Sequence, residues 1–386
     1  MKPIYLDYNA TTPIAPEVAD VMRPLLESSF GNPSSSHRYG AEAAEVVADA
    51  RVNVAELLGC SPEEIVFTSG GTESNNMAIK GTAWQYRRQG NHIITTTIEH
   101  PAVSEVCYYL EKQGYEITRL GVSDQGMIDP EEFRKAIRPE TILATIMLAN
   151  NETGVIQPIE EVASITRDSG ILLHTDAAQA VGKIPVNVRS MGVDLMTVAG
   201  HKLYAPKGIG VLYVRNGVKM ARLLHGADHE QNRRAGTENT LEIAGLGEAC
   251  RLAAATLTDE VASQSKLRDR LQLKLLKLLP QACVNGHLHK RLPNTLSIAI
   301  PGVMADELLR EIGLEVAASA GAACHTGEVE VSRVLREMRV PRERAMGTLR
   351  LSTGRFTTEM EIDHAVEVIV SAVKGAGLTA NEKGSG

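Results

Sequence analysis

The sequence predicts an α/β protein: a large domain with a mainly parallel sheet over residues 15–257, and a smaller α+β domain from 1–14 and 258–386. Three observations carry this. Short apolar runs alternate with helical stretches from about residue 41 to 257, the pattern of a mainly parallel sheet covered on both faces. The pattern changes near residue 258. A chain of 386 residues also exceeds what one small core organises.

In chain order, Ala, Val and Leu at helical spacing predict a helix over 41–58, with Gly59 as its stop. Residues 64–68 form an apolar run and predict a strand; a helix opens near Thr72 and runs to about Arg88. A strand follows over 92–97, and Pro101 starts the next helix. Further strands are expected at 141–148, 171–175, 195–199 and 210–214, with helices at about 158–168 and 240–257. The smaller domain begins with a helix over about 259–279. A strand at 296–300, a helix from Ala305, a strand at 314–318, a loop around Cys324, the segment 350–352 and a helix from Thr358 complete it. In sheets of this kind a ligand lies beyond the carboxyl ends of the strands.

Composition narrows the classes. The apolar fraction of 43% and charged fraction of 23% are those of an ordinary globular enzyme. A net charge of −7 argues against nucleic acid or an anionic membrane as the main partner. The first residues lack a secretory apolar region, and no window approaches a membrane span, so a cytoplasmic location is expected. Five dispersed cysteines, none with metal-ligand spacing, fit a reducing compartment without a disulfide framework.

Two strand ends carry the most specific signal. Lys202 follows Gly200 and His201 after the 195–199 run, and Asp176 closes the 171–176 run. A lysine at a strand end can tether an aldehyde cofactor as a Schiff base. An aspartate nearby can hold a pyridinium nitrogen protonated. The two together are what pyridoxal phosphate (PLP) requires of a protein. Other strand ends add to the pair. The segment 69–76 (Ser-Gly-Gly-Thr-Glu-Ser-Asn-Asn) opens a helix, so Gly71 and Thr72 can cradle a phosphate; an ordinary N-cap would use the same residues. His100 could stack on an aromatic cofactor and exchange a proton with substrate, or serve as a turn histidine. Asn151 could reach a ring substituent or belong to a plain Asx turn. Gln179 suits the ring's phenolic oxygen, and His201 a phosphate.

With these residues assembled, the chain resembles the cysteine desulfurases of the NifS/IscS group, PLP enzymes of fold type I in the class V aminotransferase superfamily. The resemblance spans 5–12, 31–35, 69–76, 150–154, 174–179, 200–208, 234–239, 322–324 and 350–358 in order. It implies that Lys202 carries the cofactor, that Asp176 and Gln179 hold its N1 and O3′, and that His100 stacks on it beside Asn151. It implies phosphate contacts from Gly71, Thr72 and His201, and from Thr237 of a second subunit in a homodimer. It implies that Arg350 grips the carboxylate of L-cysteine, that Asn32 borders the site, and that Cys324 accepts the sulfur for transfer to a partner protein such as an iron–sulfur scaffold. No metal is implied. Ala199 departs from the pattern, because many relatives place a phosphate-binding serine there. Ala323, Cys324 and His325 depart too, and resemble selenocysteine lyases. Cys324 stands eight residues before Ser332, the spacing of the long-loop group. L-selenocysteine cleavage, plain amino transfer and a non-catalytic sulfur-assembly scaffold are the alternatives.

Overall fold

In this computed structural model, residues 3–325 and 328–383 are described, with the side chains of 322–329 and 376–383 excepted. The centre of the larger core is a seven-stranded sheet. Its spatial order is Ile65–Thr68, Gly210–Val214, Leu195–Ala199, Leu172–Asp176, Thr141–Thr145, His92–Thr96 and Glu116–Leu120. Gly210–Val214 runs antiparallel to both neighbours. The other pairings are parallel. Six strands therefore end on the same edge, and five of them lead directly into residues singled out above.

Five of these strands are buried along their whole length, as expected where helices cover both faces. Leu172–Asp176 is half-buried only at Leu172, and Glu116–Leu120, which the hydrophobic pattern does not announce, is the larger exception. It lies at the sheet edge with Glu116 exposed and Arg119 paired to Glu111. An edge strand needs only one apolar face, and its charges blunt further pairing. The helix Pro16–Glu27, also unannounced, begins with proline at its first turn and buries only Val18 and Met22.

The expected break near residue 258 does not occur. Thr240–Leu278 is one helix of 39 residues. Its first part buries Ile243, Leu246 and Cys250 in the larger core, and its last part buries Leu267, Leu271 and Leu275 in a second core. The polar residues around 258 are thus the helix surface between two cores. Gly247 sets how closely this helix meets Arg38–Leu58: a Cβ there would stand 2.5 Å from the Cα of Ala50.

The second core is shared by both ends of the chain. Ile4 and Leu6 pack with Leu296, Leu349, Leu351 and Ile369. Ile4–Tyr5 pairs in parallel with Val316–Ala317. A four-stranded antiparallel sheet runs Ser319–Ala320, Thr348–Ser352, Thr295–Ala299, Cys283–Val284. Where the sequence suggests a loop around Cys324, the backbone forms a hairpin of Ala322–His325 with Glu328–Val331, placing Cys324 opposite Val329. The Cys324 side chain lies outside the described residues.

Candidate active site

A cavity of about 430 Å³ opens at the carboxyl edge of the large sheet. It is within the size range of small-molecule sites. Of the residues singled out from the sequence, Gly71, Thr72, His100, Asn151, Asp176, Gln179, His201, Lys202 and Arg350 line it. Asn32 and Thr237 do not; both are exposed.

Lys202 sits in the short turn Gly200–Lys202 directly after Leu195–Ala199. Its Nζ donates to the carbonyl oxygens of Asn9 at 2.5 Å and Ala10 at 2.8 Å. No carboxylate pairs with it among the described residues. Burial, followed by the nearby Arg350 guanidinium, brings its pKa down to about 8, against an opposing pull from Asp7 and Asp176. Near neutral pH a usable fraction is therefore free amine, the form that attacks a carbonyl.

Asp176 ends its strand and is 7% exposed. Its Oδ2 accepts from Asn75 Nδ2 at 2.7 Å and its Oδ1 from the backbone N–H of Ala178 at 3.0 Å. No lysine or arginine forms an ion pair with it among the described residues. A buried carboxylate held by two neutral donors is incomplete, because a cation is what normally balances such a charge. Asn75 lies within the 69–76 segment, and its spacing from Gly71 gives the only sequence hint of this role.

The helix Gly71–Tyr86 points its N-terminus at the cavity, so its first N–H groups have no intrahelical acceptor. Glu73 Oε2 accepts from the N–H of Ser69 at 2.7 Å, and the same carboxylate is paired with Arg234. This anchors the cradle to the segment that carries Thr237. A Cβ on Gly71 would stand 3.3 Å from the Ala199 methyl, so Ala199 fills the space beside the cradle with a group that cannot donate. His201 Nδ1 lies 3.1 Å from Thr11 Oγ1. Burial and the surrounding lysines push its pKa down to about 4, leaving a neutral ring that can hydrogen-bond an anion.

His100 caps the helix Pro101–Glu111, its Nδ1 accepting from the N–H of Ala102 at 3.1 Å. Burial and the cations Lys202 and Arg333 lower its pKa. The cap places the hydrogen of the neutral ring on Nε2. Arg350 donates to Asp7 Oδ1 at 2.7 Å, Ser319 Oγ at 2.8 Å and the Asn151 carbonyl at 3.2 Å. Its Nε is buried without a partner. Asp7 was not anticipated; it belongs to the N-terminal 5–12 segment, which reaches the site because Ile4–Tyr5 pairs with Val316–Ala317 and Asp7 bridges to Ser352 of the four-stranded sheet. The stem of the Cys324 hairpin is tied to the same floor: Ser332 Oγ donates to Glu152, and Arg333 to the carbonyl of Glu99.

His174, one residue pair before Asp176 on the same strand, is fully buried between Thr145 Oγ1 at 2.8 Å and Thr197 Oγ1 at 3.1 Å. Burial lowers its pKa to about 3 from the ordinary 6.5. The folded state thus favours the neutral ring. Its stabilising share is complete above pH 6.5 and is lost as pH falls toward 3, at about 1.4 kcal/mol per pH unit. Urea unfolding between pH 5 and 6.5 should show this slope, and His174→Gln should reduce it by close to one proton. Equal slopes for both chains would count against it.

Residues 4–365 match the aminotransferase class-V family. The cysteine desulfurase IscS of Dictyoglomus turgidum is 45% identical over 95% of this chain and 93% of its own length. The cysteine desulfurase IscS of Methanosarcina thermophila is 45% identical over 97% of this chain and 92% of its own. Among solved structures, a NifS-like protein superposes with a TM-score of 0.91 at 36% identity, over 97% of this chain and all of that one. SspA in complex with cysteine superposes with a TM-score of 0.81 at 34% identity, over 93% of this chain and all of that one. Sequence and fold agree over nearly the full length: the chain belongs to the class-V aminotransferase family.

Proposed function

We propose that this chain is a PLP-dependent cysteine desulfurase. It converts L-cysteine to L-alanine and takes the sulfur as a persulfide on Cys324, for an acceptor protein in iron–sulfur cluster assembly or another sulfur-transfer route. The single observation carrying this reading is one cavity that joins the lowered-pKa amine of Lys202 to the unpaired buried carboxylate of Asp176. The named activity of the relatives agrees with it.

The residues present fit the cofactor. Lys202 would hold it covalently, Asp176 would face its ring nitrogen, Gln179 its phenolic oxygen and His100 its ring face. Gly71, Thr72 and His201 would hold its phosphate, with Thr237 supplied by the second subunit of a homodimer. When bound, PLP supplies an aldehyde for the substrate amine and a ring that withdraws electrons from Cα.

The chain's own residues do the rest. Asp176 keeps a proton on the ring nitrogen, since its buried charge is balanced only by a cation there. Arg350, already oriented by Asp7 and Ser319, turns its remaining donors to the substrate carboxylate. Asn151 borders the same end, while Asn32 lies outside this cavity. Lys202, as a free amine beside the bound substrate, would take the Cα proton. His100, its Nδ1 held by the backbone N–H of Ala102, offers the Nε2 hydrogen. The Cys324 thiolate attacks the substrate sulfur: a sulfur–sulfur bond forms, the Cβ–sulfur bond breaks, and its electron pair stays on Cβ, which is protonated to give alanine. The reading places the enzyme in the cytoplasm, where thiols stay reduced; among the described residues no helix is long and apolar enough to cross a membrane.

The test is the visible spectrum of the purified protein with PLP, followed by L-cysteine. A yellow protein that changes colour and releases alanine in step with persulfide is expected. A chain that binds no PLP would end the reading. Faster turnover of L-selenocysteine, with Cys324 dispensable, would move the assignment to a selenocysteine lyase.

A further inference from the structure

Lys183 lies behind Gln179, and nothing above uses it. The turn that follows Asp176 brings its Nζ to Gln179 Oε1 at 2.8 Å and Asn9 Oδ1 at 3.0 Å. Both partners are uncharged acceptors, and no carboxylate pairs with Lys183 among the described residues. Burying an amine without a counter-charge is unfavourable. Burial, then Lys202 and Arg350, drives its pKa well below the lysine range. A residue kept at such a cost directly behind Gln179, itself in the wall of the site, calls for a role there.

The hydrogen bonds indicate which. A glutamine amide has an accepting end and a donating end, and its environment decides which faces a ligand. Here the accepting end is engaged by Lys183. The donating end is left toward the cavity, where Gln179 Nε2 now meets the carbonyl of Asn9 at 3.0 Å. That carbonyl also accepts from Lys202. Asn9 is fixed the same way: its Oδ1 accepts from Lys183 and from Asn294 Nδ2, while its Nδ2 donates to Thr295 Oγ1. A lysine donates in either protonation state, so the orientation does not depend on its charge.

We infer that Lys183 is a positioning residue: by occupying Gln179 Oε1 and Asn9 Oδ1 it holds the Gln179 amide with its N–H donors toward the cavity, so that Gln179 presents only a donor to the phenolic oxygen of the cofactor. This rests on the PLP reading above. Without Lys183 the amide is free to flip, and a flipped amide sets its oxygen against the phenolate.

The experiment is a pH titration of the visible band of the PLP-loaded protein, together with the PLP dissociation constant and the melting temperature of the PLP-free chain. Lys183→Met is expected to raise the titration midpoint by about one pH unit, a tenfold change in acid constant, and to weaken PLP binding three- to tenfold. In a Gln179→Ala background the same substitution should move the midpoint less than twofold. A Lys183→Met midpoint equal to that of the natural chain would overturn the inference, as would full additivity in the double variant. If Lys183→Met does not fold, Lys183→Gln, which keeps a neutral donor, decides. A midpoint within threefold of the natural chain supports the inference, and one shifted as far as Gln179→Ala rejects it. Failure of the natural chain to bind PLP would reject the cofactor reading itself, which is a different result.

Discussion

Lys202→Ala is expected to lower turnover of L-cysteine by on the order of a thousandfold or more. The amine does two jobs in the proposed reaction, holding the cofactor and moving the Cα proton, and no other group in the cavity can replace it. Lys183 is the nearest alternative amine, but its Nζ is committed to Gln179 and Asn9. PLP should still bind, because the helix Gly71–Tyr86, Asp176 and His201 remain, but borohydride reduction should leave no label on the chain. The fold should not suffer. Lys202 is half-buried against two backbone carbonyls with no carboxylate partner among the described residues, so its removal relieves a partly desolvated cation rather than breaking an ion pair. The melting temperature of the PLP-free variant should equal or exceed that of the natural chain. Normal turnover, or a stable covalent cofactor in the variant, would remove Lys202 from its assigned place.

Much of the large sheet was legible because strands buried on both faces read as unbroken apolar runs. The runs at 195–199 and 210–214 have the ends expected from the sequence. Lys202 and Asp176 were legible for a related reason: a charged residue directly after such a run is placed at the strand's carboxyl edge. Glu116–Leu120 was not, since an edge strand carries charge and half its pattern is lost. The unbroken helix Thr240–Leu278 was also missed, because it changes cores midway and the stripe that faces one core does not continue into the next. The partners that hold the site are the least legible. Asp7 beside Arg350, and Asn9 beside Lys202, Gln179 and Lys183, come from the first ten residues. Only the pairing of the N-terminus with Val316–Ala317 and the bridge from Asp7 to Ser352 bring them there, and no local pattern records contacts across 170 to 343 positions.

Cys324→Ala should separate capture of the substrate from removal of its sulfur. The variant is expected to bind PLP as the natural chain does and to change colour with L-cysteine, since Lys202, Asp176 and Arg350 are untouched. Alanine and persulfide formation should fall by on the order of a hundredfold or more. The other thiols cannot compensate. Cys107 and Cys250 are buried, and burial pushes each to a pKa of about 12. Cys60 is raised to about 12 by burial and by Glu64. At neutral pH such groups hold on the order of one part in a hundred thousand as thiolate, the only competent nucleophile. Cys283 lies in the far edge strand of the four-stranded sheet. Cys324 differs from all of them in its setting. It is carried on a hairpin whose stem is joined at Ser332 and Arg333 to Glu152 and Glu99, the residues beside Asn151 and His100. The hairpin backbone is thus attached to the same floor that places the substrate. Alanine released at the natural rate by Cys324→Ala would mean that sulfur leaves without this thiol, and the persulfide route would have to be abandoned even with every cofactor contact intact.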